Sequence, residues 1–123
     1  MDRRISDAEL HVMEVLWAAD GPLTATEVAE RIDAGRGWSL ATVKTMLSRL
    51  AGKGALSHRE DGRRYVYSAA IERDSYIGLE SRRFVDRLFG GRLSPLVARL
   101  AEEDVLDDDD IAAIEAILKE LKS

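Results

Sequence analysis

Between residues 6 and 68 the chain carries three helix-start signals and then one reverse-turn signal, an order that few small folds accommodate. Ser6-Asp-Ala-Glu9 is a capping box, with the serine hydroxyl and the glutamate carboxylate placed to satisfy the first free amides of a helix. Leu10, Met13, Leu16 and Trp17 follow at helical spacing and predict one buried stripe, ended by Asp20-Gly-Pro22. Thr24-Ala-Thr-Glu27 is a second capping box; it opens a short helix that turns Val28, Ala29 and Ile32 inward and stops at Gly35 and Gly37. Ser39 caps a third helix, whose Leu40, Val43, Leu47 and Leu50 share one face with Met46 beside them, and Gly52 and Gly54 end it. The period then changes. "ALSHREDGRRYVYSA" places Asp61-Gly62, a two-residue turn signal, between segments rich in tyrosine and valine, which predicts a β-hairpin over 55–59 and 63–68.

Beyond residue 70 only helical patterns remain. Residues 74–89 carry Ile77, Phe84, Val85, Leu88 and Phe89 and break at Gly90-Gly91. Residues 93–101 carry Leu96, Val97 and Leu100. An acidic stretch follows, and a last helix starting at Asp109 or Asp110 carries Ile111, Ile114, Ile117, Leu118 and Leu121 at near-heptad spacing. These helices cannot bury their apolar faces alone in about 50 residues. Phe84, Leu88, Leu96, Val97, Leu100, Ile111, Ile114, Ile117, Leu118 and Leu121 are therefore the candidate dimerisation residues. The expected organisation is one domain over 1–72 and a helical dimerisation domain over 73–123.

Charge is distributed unevenly. The net charge is −5, with 23 acids in 123 residues, yet residues 34–59 contain no acid. A window of that length should hold about five. Residues 36–73 carry eight Lys/Arg against three acids, whereas 75–123 carry seven against eleven. Binding to a polyanion depends on charge at the contact face, so the global sign decides little.

On the third helix the face opposite Val43, Leu47 and Leu50 holds Ala41, Thr45 and Ser48, flanked by Thr42, Lys44 and Arg49. Exposed helix faces are more often filled with Glu, Lys and Gln, which favour the helix. Short hydroxyls, small residues and cations instead let a backbone lie close in a major groove, where Thr and Ser reach phosphates or base edges and Lys and Arg reach guanine. A carboxylate there would repel phosphates. The short helix before it and the Arg59, Arg63 and Arg64 of the hairpin complete the pattern of a winged helix-turn-helix domain, with the arginines placed to grip the sugar–phosphate backbone. The fold class expected is mainly α with a small β-hairpin: a winged helix-turn-helix DNA-binding domain plus a C-terminal helical dimerisation domain. A winged helix used as a protein–protein interaction adaptor is the rival reading, since fold alone does not choose. An adaptor has no general reason to exclude acids from that face.

"ISDAELHVMEVLW", "TATEVAERI", "SLATVKTMLSRLAGKGAL", "GRRYVYSA" and "FVDRLFGGRLSPLVARLAEED" together resemble the BlaI/MecI/CopY family of penicillinase and methicillin-resistance repressors over nearly the whole chain. The resemblance implies a cytoplasmic homodimer that binds a palindromic double-stranded DNA operator and represses transcription. It also implies that Thr42, Lys44, Thr45 and Arg49 match polar positions of the recognition helix, while Ala41 stands where the family often has lysine. Copper-responsive members carry a C-terminal cysteine cluster; this chain has no cysteine, which sets that branch aside. β-Lactam-responsive members are inactivated when a membrane sensor-transducer metalloprotease triggers cleavage in the dimerisation region. The corresponding bond joins Arg99 and Leu100, where those members commonly have Asn-Phe, and Leu100 also reads as a core residue of its helix.

Other chemistry finds little support. Residues 107–110 lack the spacing and glycine of a Ca²⁺ loop and read better as a helix start. His11 and His58 lie on different elements, so no metal site is expected. Trp17 and Trp38 read as core and wall residues, and Tyr65 and Tyr67 as packing on the third helix. No nucleophile motif, phosphate loop or carboxylate pair points to an enzyme, no cofactor is implied, and no apolar run approaches the roughly 20 residues of a spanning helix.

Overall fold

Both capping boxes form. A computed structural model describes residues 4–32 and 34–123. Ser6 Oγ accepts from the Glu9 amide at 3.1 Å, Glu9 Oε1 accepts from the Ser6 amide at 2.9 Å, and α1 (Asp7–Ala18) begins there. Thr24 and Glu27 repeat the arrangement at 3.2 and 2.9 Å to open α2 (Ala25–Arg31). A single 3-10 turn (Ala34–Arg36) then leads to α3 (Leu40–Gly52), capped by Ser39 Oγ, which accepts from the Thr42 amide at 3.1 Å. Gly54, at φ 78°, closes α3 in a Schellman motif: the Gly54 amide donates to Ala51 O at 3.1 Å and the Ala55 amide to Leu50 O at 3.0 Å.

The strand region differs from expectation in two ways. The hairpin of β2 and β3 is joined by a third strand. In chain order the strands are β1 (Leu23–Thr24), β2 (Leu56–Asp61) and β3 (Arg64–Ala69), arranged β1-β3-β2 and antiparallel throughout. Two residues are too few to leave a period in the sequence, and Thr24 serves both β1 and the cap of α2. The turn is also displaced by one residue. Asp61 pairs with Arg64, so the loop residues are Gly62-Arg63 rather than Asp61-Gly62. Gly62 has φ 70°, and Asp104 is the only described non-glycine with positive φ. Positive φ at the first loop position alone is the type II′ pattern, which asks for glycine first and matches the twist of the strands.

The first compact unit buries Val12, Met13 and Leu16 of α1, Val28 of α2, Val43, Leu47 and Leu50 of α3, and Leu23, Ile32, Ala55 and Leu56 around them. The α1 stripe is rotated from the one read in the sequence: Glu9 and Val12 are buried, while Leu10 and Trp17 are half-buried. The rotation is tolerated because Lys53, the residue capping α3, places Nζ 2.6 Å from Glu9 Oε1 and also donates to Arg4 O at 2.8 Å. Leu40, expected in the core, is 39% exposed, since it begins the first turn of α3. Trp17 Nε1 donates to Ile71 O at 2.9 Å and the ring lies 5.8 Å from that of Tyr76. Arg73 Nε donates to Glu14 Oε1 at 3.1 Å.

These contacts keep the start of α4 (Arg73–Phe89) with the first unit, and the chain divides into Met1–Tyr76 and Ile77–Ser123, four residues beyond the expected boundary. The second unit holds the rest of α4, then α5 (Leu93–Glu102) and α6 (Asp108–Lys122). Gly90 and Gly91, at φ 59° and 83°, end α4. The Asp110 amide donates to Asp107 Oδ1 at 2.8 Å in a third capping box, so α6 starts slightly earlier than the sequence suggested. None of residues 77–123 is buried. Among the candidate dimerisation residues, Phe84, Leu88, Ile111, Ile117, Leu118 and Leu121 are exposed, and Leu96, Val97, Leu100 and Ile114 are half-buried. No helix among the described residues is long and apolar enough to cross a membrane.

Candidate nucleic-acid interface

The outer face of α3 follows from how its inner face is anchored. With Val43, Leu47 and Leu50 fully buried, the 100° advance per residue turns Ala41, Lys44, Thr45, Ser48 and Arg49 outward, and all five are exposed. Thr42 is half-buried, its hydroxyl 3.1 Å from Ser39 Oγ. Thr45 Oγ1 donates to Ala41 O at 3.0 Å. No carboxylate lies on this helix.

The hairpin brings a second set of cations. Arg59 on β2, Arg63 in the turn and Arg64 on β3 are all exposed. Lys44, Arg63 and Arg64 line one cleft of about 590 Å³, together with Thr24, Thr26, Glu27, Tyr65 and Tyr67. A smaller cleft of about 220 Å³ continues along α3 and is lined by Lys44, Leu47, Ser48, Ala51, His58, Tyr65 and Tyr67. The fold thus gathers Lys44, Arg63 and Arg64 into one basic cleft and sets Ser48 beside it. Ala41, Thr42, Thr45, Arg49 and Arg59 line neither cleft.

Several lining residues went unread as functional in the sequence. Tyr65 and Tyr67, taken as packing residues, also face the clefts, and His58 sits between them with ring centroids 5.2 and 6.0 Å away. Their period-two alternation around buried Val66 was the available signal. Thr26 and Glu27 were read only as helix-start residues.

Two carboxylates balance this surface. Hydrogen bonding from the Thr24 amide and hydroxyl, and then the charges of Arg64 and Arg31, hold the Glu27 carboxyl below the ordinary carboxylate range. Arg64 Nη2 lies 3.7 Å from Asp61 Oδ2. On the far side of the domain, burial works to raise the Glu9 carboxyl, but hydrogen bonds from Lys53 and Ser6 and the Lys53 charge outweigh it and leave it below its ordinary value. Lys53 is therefore occupied within the fold, and part of the acid-free window serves Glu9 rather than an external partner.

In the second unit, the bond between Arg99 and Leu100 lies inside α5. Arg99 O accepts from the Glu103 amide and Leu100 O from the Val105 amide, both at 3.1 Å.

Three helices, a three-stranded sheet and a carboxylate-free helix face beside an arginine-bearing hairpin define a winged-helix DNA-binding regulator. The profile of the penicillinase repressor family matches residues 5–120. The chain belongs to that family: it is a DNA-binding transcriptional repressor and not an enzyme. It is 38% identical over 120 residues to the penicillinase repressor of Bacillus licheniformis, covering 98% of this chain and 93% of that one. It is 29% identical over 114 residues to the methicillin resistance regulatory protein MecI of Mammaliicoccus sciuri, covering 93% and 92%. Among solved structures, the DNA-binding domain of the repressor BlaI is similar with TM-score 0.53 and 42% identity, over 60% of this chain and 89% of that one. The monomeric form of Bacillus licheniformis BlaI in complex with the blaP half-operator is similar with TM-score 0.50 and 42% identity, over 59% and 88%.

Proposed function

We propose that the chain acts in the cytoplasm as a homodimer on a palindromic operator, each protomer laying α3 in the major groove of one half-site. Ala41, Thr42, Lys44, Thr45, Ser48 and Arg49 face the bases and their flanking phosphates, while Arg59, Arg63 and Arg64 hold the adjoining backbone. The observation that carries this reading is the cleft in which Lys44 of α3 meets Arg63 and Arg64 of the hairpin. The strand of phosphates flanking an occupied major groove has to pass between a recognition helix and a wing, and this cleft supplies cations from both sides. A half-site read by one helix spans few base pairs, so pairing through the exposed apolar residues of the second unit doubles the readout.

Release by proteolysis belongs to the same proposal. A metalloprotease pathway that cuts between Arg99 and Leu100 removes most of the apolar face from the dimer. Proteases act on extended chain, so α5 has to unfold locally before that bond is accessible. The test is fluorescence anisotropy with the duplex upstream of the chain's own coding sequence and a scrambled duplex, at several salt concentrations. Tight binding to the native duplex alone, with a steep salt slope, is expected. Equal and weak binding to both favours the adaptor reading.

A further inference from the structure

Glu27 lines the same cleft as Lys44, Arg63 and Arg64. A carboxylate in a phosphate-facing cleft is unfavourable for binding, and its presence there asks for a role. Its capping bond to the Thr24 amide at 2.9 Å fixes the carboxylate at the cleft wall. A glutamine makes the same capping box, so helix initiation alone does not call for the charge. Arg64 meanwhile stands between two carboxylates, Asp61 at 3.7 Å on its own hairpin and Glu27 across the cleft.

We propose that Glu27 is an electrostatic counterweight that limits how tightly the Lys44/Arg63/Arg64 cleft grips the DNA backbone, and so limits binding to non-operator DNA. Phosphate contacts carry no sequence information, whereas base contacts on α3 do. A repressor whose backbone grip is too strong is retained on the far more numerous non-specific sites. A fixed negative charge beside the wing arginines subtracts from the sequence-independent part of the affinity. It acts by repulsion against the wrong partner rather than by attraction to the right one. This inference rests on the reading of α3 and the hairpin as the docking surface.

The experiment uses the full chain with Glu27→Gln, Arg64→Ala and the double variant, titrated against a scrambled duplex at 50 and 200 mM salt. Thermal unfolding serves as the control that glutamine keeps the cap. Glu27→Gln is expected to tighten binding at 50 mM salt by about threefold to tenfold, with a smaller gain at 200 mM, because screening shortens the reach of an exposed charge. The gain should shrink in the Arg64→Ala background, where the cation that Glu27 offsets is absent. Unchanged or weaker binding by Glu27→Gln, while Arg64→Ala weakens binding, overturns the role of Glu27 and leaves the docking surface standing. If Arg64→Ala and Lys44→Ala both bind as the parent does, the docking surface itself is wrong and the counterweight falls with it.

Discussion

Replacing Lys53 by methionine tests whether the tie between α1 and the end of α3 stabilises the DNA-binding unit. Methionine keeps the aliphatic stem and removes the ammonium that sits 2.6 Å from Glu9 Oε1. Glu9 is left with its side chain 3% exposed, with the Ser6 amide on Oε1 and no partner for Oε2 among the described residues. Removing one partner of a fully buried pair costs about 3–5 kcal/mol. The Lys53 side chain is 26% exposed, so the lower part of the scale applies, discounted further for water that reaches the ammonium. We expect about 2 kcal/mol at pH 7.

Both tryptophans, Trp17 and Trp38, lie in Met1–Tyr76, so urea unfolding followed by their fluorescence reports on that unit. With a slope of about 1 kcal/mol per molar urea, the midpoint should fall by about 2 M. The pH dependence gives a second reading. The folded-state Glu9 carboxyl lies below its ordinary value, so its contribution is present above the unfolded glutamate range and is lost as pH falls through the lowered folded value. In the methionine variant burial still works to raise that carboxyl with less to oppose it, so the variant relieves its cost by taking up a proton earlier. The deficit should therefore narrow between pH 7 and pH 4. A midpoint shift under about 0.5 M at pH 7, or a deficit equal at both pH values, refutes the reasoning.

Two further outcomes test the interface and the assembly. Lys44→Ala with Arg49→Ala should weaken operator binding, while Arg63→Ala with Arg64→Ala should reduce the slope of log affinity against log salt by about two, one for each lost phosphate contact, as read by anisotropy. A chain truncated at Arg99 lacks Leu100 and all of α6, and analytical ultracentrifugation should find it monomeric with most operator affinity lost; a dimeric fragment of full affinity refutes the assignment of the apolar face.

What the sequence made legible was whatever is written in local chemistry. The two N-terminal capping boxes, the Ser39 cap, the Gly54 stop and the exposed face of α3 depend on residues within a few positions of one another, and each forms as read. Features resting on distant partners were not legible. Glu9 is buried only because Lys53 reaches it from 44 residues away, and no periodicity announces that. β1 exists because Leu23 and Thr24 meet Tyr67 and Val66, and Gly62-Arg63 forms the loop because register is set along the whole ladder rather than at the Asp61-Gly62 dipeptide. The cleft was half legible: Lys44, Arg63 and Arg64 were named from their charge, while Thr26, Glu27 and the two tyrosines enter it only through tertiary packing.

The hydrogen bond from Thr45 Oγ1 to Ala41 O bears on the vocabulary available to α3. A threonine hydroxyl has one proton to give and two lone pairs. Here the proton is spent on the helix backbone, so toward a base edge Thr45 offers only lone pairs and a methyl group. In that state it accepts from the amino group of adenine or cytosine and packs against the thymine methyl, and it has nothing to offer the paired acceptors of guanine. A residue that elsewhere speaks to every base becomes a filter here, its preference set by a bond that never leaves its own helix.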